Sequence, residues 1–103
     1  MFSDSDEELM NQIVNGDLTA FSLLYDRYAP TVLEFGLRLN LETAVAEQIV
    51  LETFWMVWQQ AETFSLQLTP FPVWLRRLAR QVSLTNFRYK IVAASQQIYG
   101  GMQ

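Results

Sequence analysis

Apolar side chains recur every three or four residues along most of this chain, and this spacing limits the possible folds more than any other feature. The clearest series, Ala46, Val50, Phe54, Val57 and Ala61, would line one face of a helix over residues 43–62. We find no pair of segments with the pattern of paired strands. The sequence therefore predicts an all-α fold.

Capping residues divide this pattern into separate helices. Ser5 to Glu8 form a capping box, which predicts a helix over residues 6–15 that ends at Gly16. Asp17 can then cap a second helix, in which Pro30 is expected to cause a kink. The apolar positions that we assign to these two helices are Leu9, Ile13, Val14, Phe21, Leu24, Tyr25 and Tyr28.

A further break is expected at Asn40, and a longer loop is expected at FSLQLTPFP, residues 64–72. The last helix should begin near Val73 and run to about residue 90, and the uncharged tail can extend it to about Tyr99. Its predicted core positions are Trp74 or Leu75, Leu78, Val82 and Thr85. We expect a compact bundle of about four helices over residues 1–92, followed by a tail or interdomain linker at 93–103.

The composition of the 103 residues excludes several classes of function. The chain has no cysteine and no histidine, so it lacks thiolate chemistry, the usual general base and the commonest metal ligand. We therefore expect no enzyme, no cofactor and no metal site. The acidic N-terminus does not resemble a signal peptide, and no apolar run is long enough to span a bilayer. A cytoplasmic protein without membrane insertion is the expectation.

Charge is strongly segregated along the chain. Residues 1–62 hold all eleven acids and two bases, a net charge of −9, whereas residues 63–103 hold five bases and no acid, a net charge of +5. Such asymmetry within one domain suggests a polyanionic partner on one side. The five bases lie in WLRRLARQVSLTNFRYK, residues 74–90, and are Arg76, Arg77, Arg80, Arg88 and Lys90.

Two interpretations of this basic helix remain open. Arginines interleaved with aromatic residues suit single-stranded nucleic acid, because the positive side chains contact the phosphates and the aromatic rings stack on unpaired bases. The alternative is an ordinary solvated helix face. The third predicted helix poses a similar choice, since Leu51, Trp55 and Trp58 form a second apolar stripe. That stripe is either buried by a neighbouring helix or docks a partner helix.

Four segments resemble region 2 of bacterial sigma factors of the extracytoplasmic-function (ECF) group, in order and over about residues 6–90. The first is the predicted helix over residues 6–15, which ends in NGD. Residues 16–30, GDLTAFSLLYDRYAP, resemble region 2.1. Residues 46–58, AEQIVLETFWMVW, resemble region 2.2. Residues 71–80, FPVWLRRLAR, resemble the end of region 2.3 running into region 2.4. The chain differs from the usual family pattern at Gln48 and Leu51 and in its uncharged segment SLQLTPFP.

The resemblance implies two binding surfaces. In the family, region 2.2 binds the clamp helices of the RNA polymerase β′ subunit, which implies polymerase-binding roles for Glu47, Gln48, Leu51, Glu52 and Trp55. Regions 2.3 and 2.4 capture unpaired non-template bases of the −10 promoter element. This implies DNA-binding roles for Phe64, Ser65, Gln67, Phe71, Arg76, Arg77, Arg80, Asn86, Arg88 and Lys90.

The resemblance thus implies a cytoplasmic, nucleoid-associated transcription factor that binds core RNA polymerase and helps to melt the −10 element. Its expected partners are core RNA polymerase, promoter DNA, especially the single-stranded non-template strand, and an anti-sigma factor. The alternative is a sigma-like module that binds protein alone, either an anti-sigma factor or the polymerase clamp, without binding DNA.

Overall fold

The computed structural model describes residues 4–39, 42–65 and 68–100, with side chains up to residue 86. Every regular element in this part of the chain is a helix, so the predicted all-α class is confirmed. The helices are α1 (Asp6–Val14), α2 (Leu18–Arg38), α3 (Thr43–Gln59), α4 (Ala61–Ser65) and α5 (Phe71–Gly100). The expected break at Asn40, residue Gln67 and the end of the tail at 101–103 lie outside the described residues. Within the described part, no helix combines the length and apolarity needed to cross a membrane.

The predicted caps are present at the start of the first two helices. The Ser5 hydroxyl accepts a hydrogen bond from the Glu8 N–H at 3.1 Å, and an Asp17 carboxylate oxygen accepts one from the Ala20 N–H at 3.0 Å. Gly16 lies between them at φ +83°, a conformation that side chains with a Cβ rarely adopt. The helix α2 then continues through Pro30 as one element.

The second half of the chain differs from the prediction in its boundaries. The helix α3 ends at Gln59, and the short α4 follows after Gln60, so the described residues contain five helices instead of about four. The helix α5 begins at Phe71, two residues before the predicted start. Pro72 is tolerated there because the first turn of a helix does not need its N–H groups for intrahelical bonds. The predicted loop is shortened at both ends.

The helix α3 lies at the centre of the bundle, packed against both α2 and α5. Every member of the predicted series is buried, with Ala46 to Val57 on α3 and Ala61 at the start of α4. On α5 both Trp74 and Leu75 are buried, together with Leu78 and Val82. Thr85, the remaining predicted core position on this helix, is exposed, so that assignment was wrong. On α1, Leu9 and Ile13 are buried, whereas Val14 is 36% exposed.

The helices α2 and α3 approach each other closely at Gly36. A Cβ atom added to Gly36 would lie 3.0 Å from the Cβ and 3.2 Å from the Cα of Ala46. Ala46 is itself fully buried, so neither backbone has space to move outward without opening the core. The absence of a side chain at residue 36 therefore sets the distance between these two helices.

We expect Gly36→Ala to destabilise the fold by about 1–2 kcal/mol, since the steric clash outweighs the better helix propensity of alanine. Urea unfolding followed by circular dichroism measures this change. The double variant Gly36→Ala with Ala46→Gly should recover part of the lost stability, because it removes the clashing Cβ. Additive losses in the double variant would show that the contact does not limit the packing.

A small polar cluster joins α1 to α2 at the surface of the bundle. Asp6 accepts hydrogen bonds from an Arg27 guanidinium nitrogen at 2.8 Å and from the Tyr28 hydroxyl at 2.6 Å. Burial, followed by the hydrogen bond to Asp6, raises the pKa of Tyr28 to about 12. Because the pKa is raised, the neutral phenol is the form that stabilises the folded state.

The stabilisation from Tyr28 should be complete below about pH 10 and should decline as the pH rises towards about 12. We expect the stability advantage of the wild-type chain over Tyr28→Phe to shrink across this window. The phenylalanine ring keeps the aromatic contact with Phe71, whose ring centroid lies 5.2 Å from that of Tyr28. Urea unfolding of both chains at about pH 9 and about pH 11 provides the comparison. An advantage that is the same at both pH values would contradict this account.

Candidate functional site

The helix α5 presents an arginine face opposite its buried face. Arg76, Arg77 and Arg80 are exposed, whereas Leu75 and Ala79 on the other side of the helix are buried. The two salt bridges among the described residues join Arg27 to Asp6 and Arg38 to Glu34, so none of the three α5 arginines takes part in one. Their charges are therefore not neutralised by the acids of the described chain. We call these three residues the arginine face.

A shallow apolar groove runs beside the arginine face, between the end of α2 and the middle of α5. Its walls include the half-buried Phe35 and the exposed side chains of Leu39 and Leu84. Arg76 and Arg80 line the same groove, one helical turn apart. The groove thus combines two cations with apolar surface, which is the combination that suits the phosphates and ring faces of an unpaired nucleic acid strand.

Phe64 and Phe71, which were predicted to contact DNA, lie in the protein core. Phe71 is fully buried and Phe64 is 6% exposed. Their ring centroids are 5.7 Å apart, and each ring also packs on Trp74, at 5.1 Å from Phe64 and 6.0 Å from Phe71. In this arrangement neither ring is available to stack on a base. They instead anchor the two ends of the connection between α4 and α5.

The other predicted DNA-binding residues are placed differently. Ser65 is exposed, and its hydroxyl donates a hydrogen bond to the Glu62 carbonyl oxygen at 2.6 Å. Gln67 and the side chains of Arg88 and Lys90 lie outside the part of the chain that the structure describes. Arg76, Arg77 and Arg80 lie together on the outer face of α5, whereas Asn86 is half-buried and hydrogen-bonded to Glu52 on α3.

The second apolar stripe of α3 divides into a buried part and an exposed part. Trp58 is half-buried, with its ring centroid 5.3 Å from that of Phe21 on α2. Leu51 and Trp55 are each 59% exposed. The burial interpretation is therefore confirmed for Trp58, whereas α2 leaves Leu51 and Trp55 open to solvent.

The predicted polymerase-binding residues share this open side of α3. Glu47 and Gln48 are exposed beside Leu51 and Trp55, and Glu52 is half-buried. We call these five residues the α3 face. Glu47 and Leu51 also line an apolar groove against α2, whose other lining residues are Tyr25, Ala29, Pro30, Leu33 and Val50.

A hydrogen bond connects the two predicted surfaces. An Asn86 side-chain nitrogen donates to a Glu52 carboxylate oxygen at 3.0 Å, and the Gln48 side-chain nitrogen donates to the other Glu52 oxygen at 3.0 Å. Glu52 belongs to the predicted polymerase-binding set and Asn86 to the predicted DNA-binding set. Sequence analysis missed this contact, because the two residues are 34 positions apart and no local pattern pairs them.

The chain is thus a small helical domain with one exposed apolar region on α3 and one basic face on α5. The family model of sigma-70 region 2 matches residues 24–90, which is more than half of the chain. The chain belongs to the sigma-70 region 2 family, and its curated relatives place it in the ECF group, as predicted from its motifs.

Two relatives show the extent of the similarity. The chain is 32% identical over 90 residues to the ECF RNA polymerase sigma factor BldN of Streptomyces coelicolor, which covers 84% of this chain and 34% of BldN. It is 34% identical over 65 residues to the ECF RNA polymerase sigma factor SigL of Mycobacterium tuberculosis, covering 63% of this chain and 37% of SigL. The chain thus spans about a third of the length of these relatives. No solved structure matches it significantly.

Proposed function

We propose that this chain acts in transcription initiation as region 2 of an ECF sigma factor. In this role the α3 face binds the clamp helices of the β′ subunit of core RNA polymerase, and α5 binds the non-template strand of the −10 element. The observation that carries the DNA half of the proposal is the arginine face. It consists of three exposed cations without an acidic partner among the described residues, beside an apolar groove.

The distribution of charge would orient the domain on DNA. Phosphates are attracted to the arginines of α5, whereas the net charge of −9 in residues 1–62 repels them from the rest of the bundle. A single strand bound along α5 would place its phosphates near Arg76 and Arg80 and its bases over the apolar groove. Strand opening is favoured because bases that lose their stacking in the duplex gain contacts with the protein. The proposed role requires no covalent bond to be made or broken.

The polymerase half of the proposal depends on Leu51 and Trp55. Large exposed apolar side chains surrounded by polar ones are typical of the centre of a protein interface. Here Glu47 and Gln48 provide the polar surroundings. Because these four residues lie along one side of a single helix, the surface suits a helical partner such as a clamp helix.

A second candidate function is a sigma-like module that binds protein alone, such as an anti-sigma factor, without binding DNA. Two observations favour it. The apolar groove between α2 and α3 extends the exposed apolar surface beyond the α3 face. The segment 65–75 before the arginine face also carries no charge, so it would add nothing to phosphate binding. Binding to single-stranded DNA separates the two candidates, since this alternative predicts none.

Replacing Arg76 and Arg80 together by alanine should weaken binding to single-stranded −10 DNA because two phosphate contacts are lost. The slope of log affinity against log salt should become shallower by about 1.4, at roughly 0.7 per phosphate contact on a single strand. Fluorescence anisotropy of a labelled oligonucleotide over a salt series measures both effects.

The matched control is Arg38→Ala, which removes an exposed arginine that is paired with Glu34 on α2. We expect it to leave the salt dependence nearly unchanged. If the double variant on α5 bound the strand with wild-type affinity and slope, the arginine face would not be the DNA-binding surface.

Trp55→Ala should weaken binding to core RNA polymerase by about tenfold or more, because truncation of an interface tryptophan commonly costs over 1–2 kcal/mol. The stability of the isolated domain should change little, because the Trp55 side chain is 59% exposed. Leu23→Ala provides the control, since Leu23 is a 50% exposed apolar residue on α2. Equal polymerase affinities for both variants, measured by surface plasmon resonance, would argue against the α3 face.

A further inference from the structure

The side chain of Asn86 is held in a single orientation by its neighbours. Its side-chain nitrogen donates to Glu52 on α3 at 3.0 Å and to the Val82 carbonyl oxygen on its own helix at 3.1 Å. An asparagine amide has two N–H donors and one carbonyl acceptor. Both donors are therefore used within the protein.

The identity of the two partners determines which way the amide faces. A carboxylate and a backbone carbonyl accept hydrogen bonds and do not donate them. Turning the amide over would place the Asn86 carbonyl oxygen against two other oxygens, with no hydrogen between them. The nitrogen must therefore face Glu52 and Val82, and the acceptor oxygen Oδ1 is the polar atom left for a partner.

Glu52 is in turn fixed from the other side. Its second carboxylate oxygen accepts the hydrogen bond from Gln48, one turn earlier on α3. Among the described side chains, no other hydrogen bond joins α3 to α5. The orientation of Asn86 therefore depends on one residue of the central helix.

We propose that Asn86 determines base specificity by accepting, through Oδ1, a hydrogen bond from an N–H group of an unpaired base, and that Glu52 is the positioning residue that fixes this orientation. The inference rests on the proposed function and goes further, because it assigns Asn86 to a base and not to the backbone. Phosphate oxygens only accept hydrogen bonds, so an asparagine that presents only an acceptor has nothing to offer them. Base amino and imino groups are donors.

The test uses short single-stranded −10 oligonucleotides in which one base at a time is replaced by an analogue that lacks a donor. Purine replaces adenine, inosine replaces guanine, pyrimidin-2-one replaces cytosine, and N3-methylthymine replaces thymine. At one position the replacement should weaken wild-type binding by about 3- to 10-fold, the range expected for one hydrogen bond. Asn86→Ala should bind the natural and altered strands equally at that position.

The role of Glu52 is tested with Glu52→Ala and with the double variant that also carries Asn86→Ala. Without Glu52 the amide can turn, so Glu52→Ala should bind the natural and altered strands with equal affinity, as Asn86→Ala does. The double variant should show no further loss of discrimination between the two strands. The control is Glu42→Ala, which removes the same charge from an exposed residue just before α3 that makes no side-chain cap bond. Glu42→Ala should still bind the natural strand more tightly than the altered strand, as the wild-type chain does. Retained discrimination in Glu52→Ala would overturn the positioning role.

A measurement without DNA examines the orientation itself. In ¹⁵N-edited NMR spectra at one fixed pH, the Asn86 side-chain amide signals should move in Glu52→Ala and stay in place in Glu42→Ala, because Glu52 accepts the amide hydrogen bond. Asn86 amide signals that are the same in wild type and Glu52→Ala would overturn the proposed hydrogen bond. Failure of the wild-type chain to bind any strand would overturn the proposed function and the base contact together. Binding without dependence on any single base donor would overturn the base contact alone.

Discussion

The burial of α3 between α2 and α5 is the constraint on which the rest of the structure depends. Its inner positions, from Ala46 to Val57, are enclosed, and Gly36 allows α2 to approach within contact of Ala46. Because α2 also covers Trp58, the helix retains a single exposed apolar region, at Leu51 and Trp55. The proposed protein-binding surface is thus the part of the central helix that the core leaves uncovered.

The same packing fixes the orientation of α5. Leu75, Leu78, Ala79 and Val82 are buried, so Arg76, Arg77 and Arg80 on the other side of the helix face outward. The domain therefore presents an apolar and a basic surface on neighbouring helices of one core. Glu52 of the α3 face is hydrogen-bonded to Asn86 of α5. A change in the position of Glu52 on partner binding would be transmitted to the amide of Asn86 through this bond.

Local sequence patterns predicted the helical class, the caps at Ser5 and Asp17 and the buried series on α3, because each depends on residues a few positions apart. The partial burial of the second apolar stripe could not be predicted, since it depends on where α2 crosses α3. Phe64 and Phe71 show the same limit. The family resemblance implied DNA contacts for both, but tertiary packing with Trp74 places both rings in the core. The contact between Glu52 and Asn86 likewise arises only in the folded chain.

In the proposed function, α5 binds DNA while the α3 face remains free for a protein partner. Titration of the ¹⁵N-labelled chain with a short −10 single strand, followed by NMR, tests this most directly. The account predicts shifts at the backbone amides of Arg76 and Arg80 and at the side-chain amide of Asn86, with the Trp55 indole N–H unchanged. Shifts confined to Leu51 and Trp55, or no shifts at a strand excess, would contradict the account.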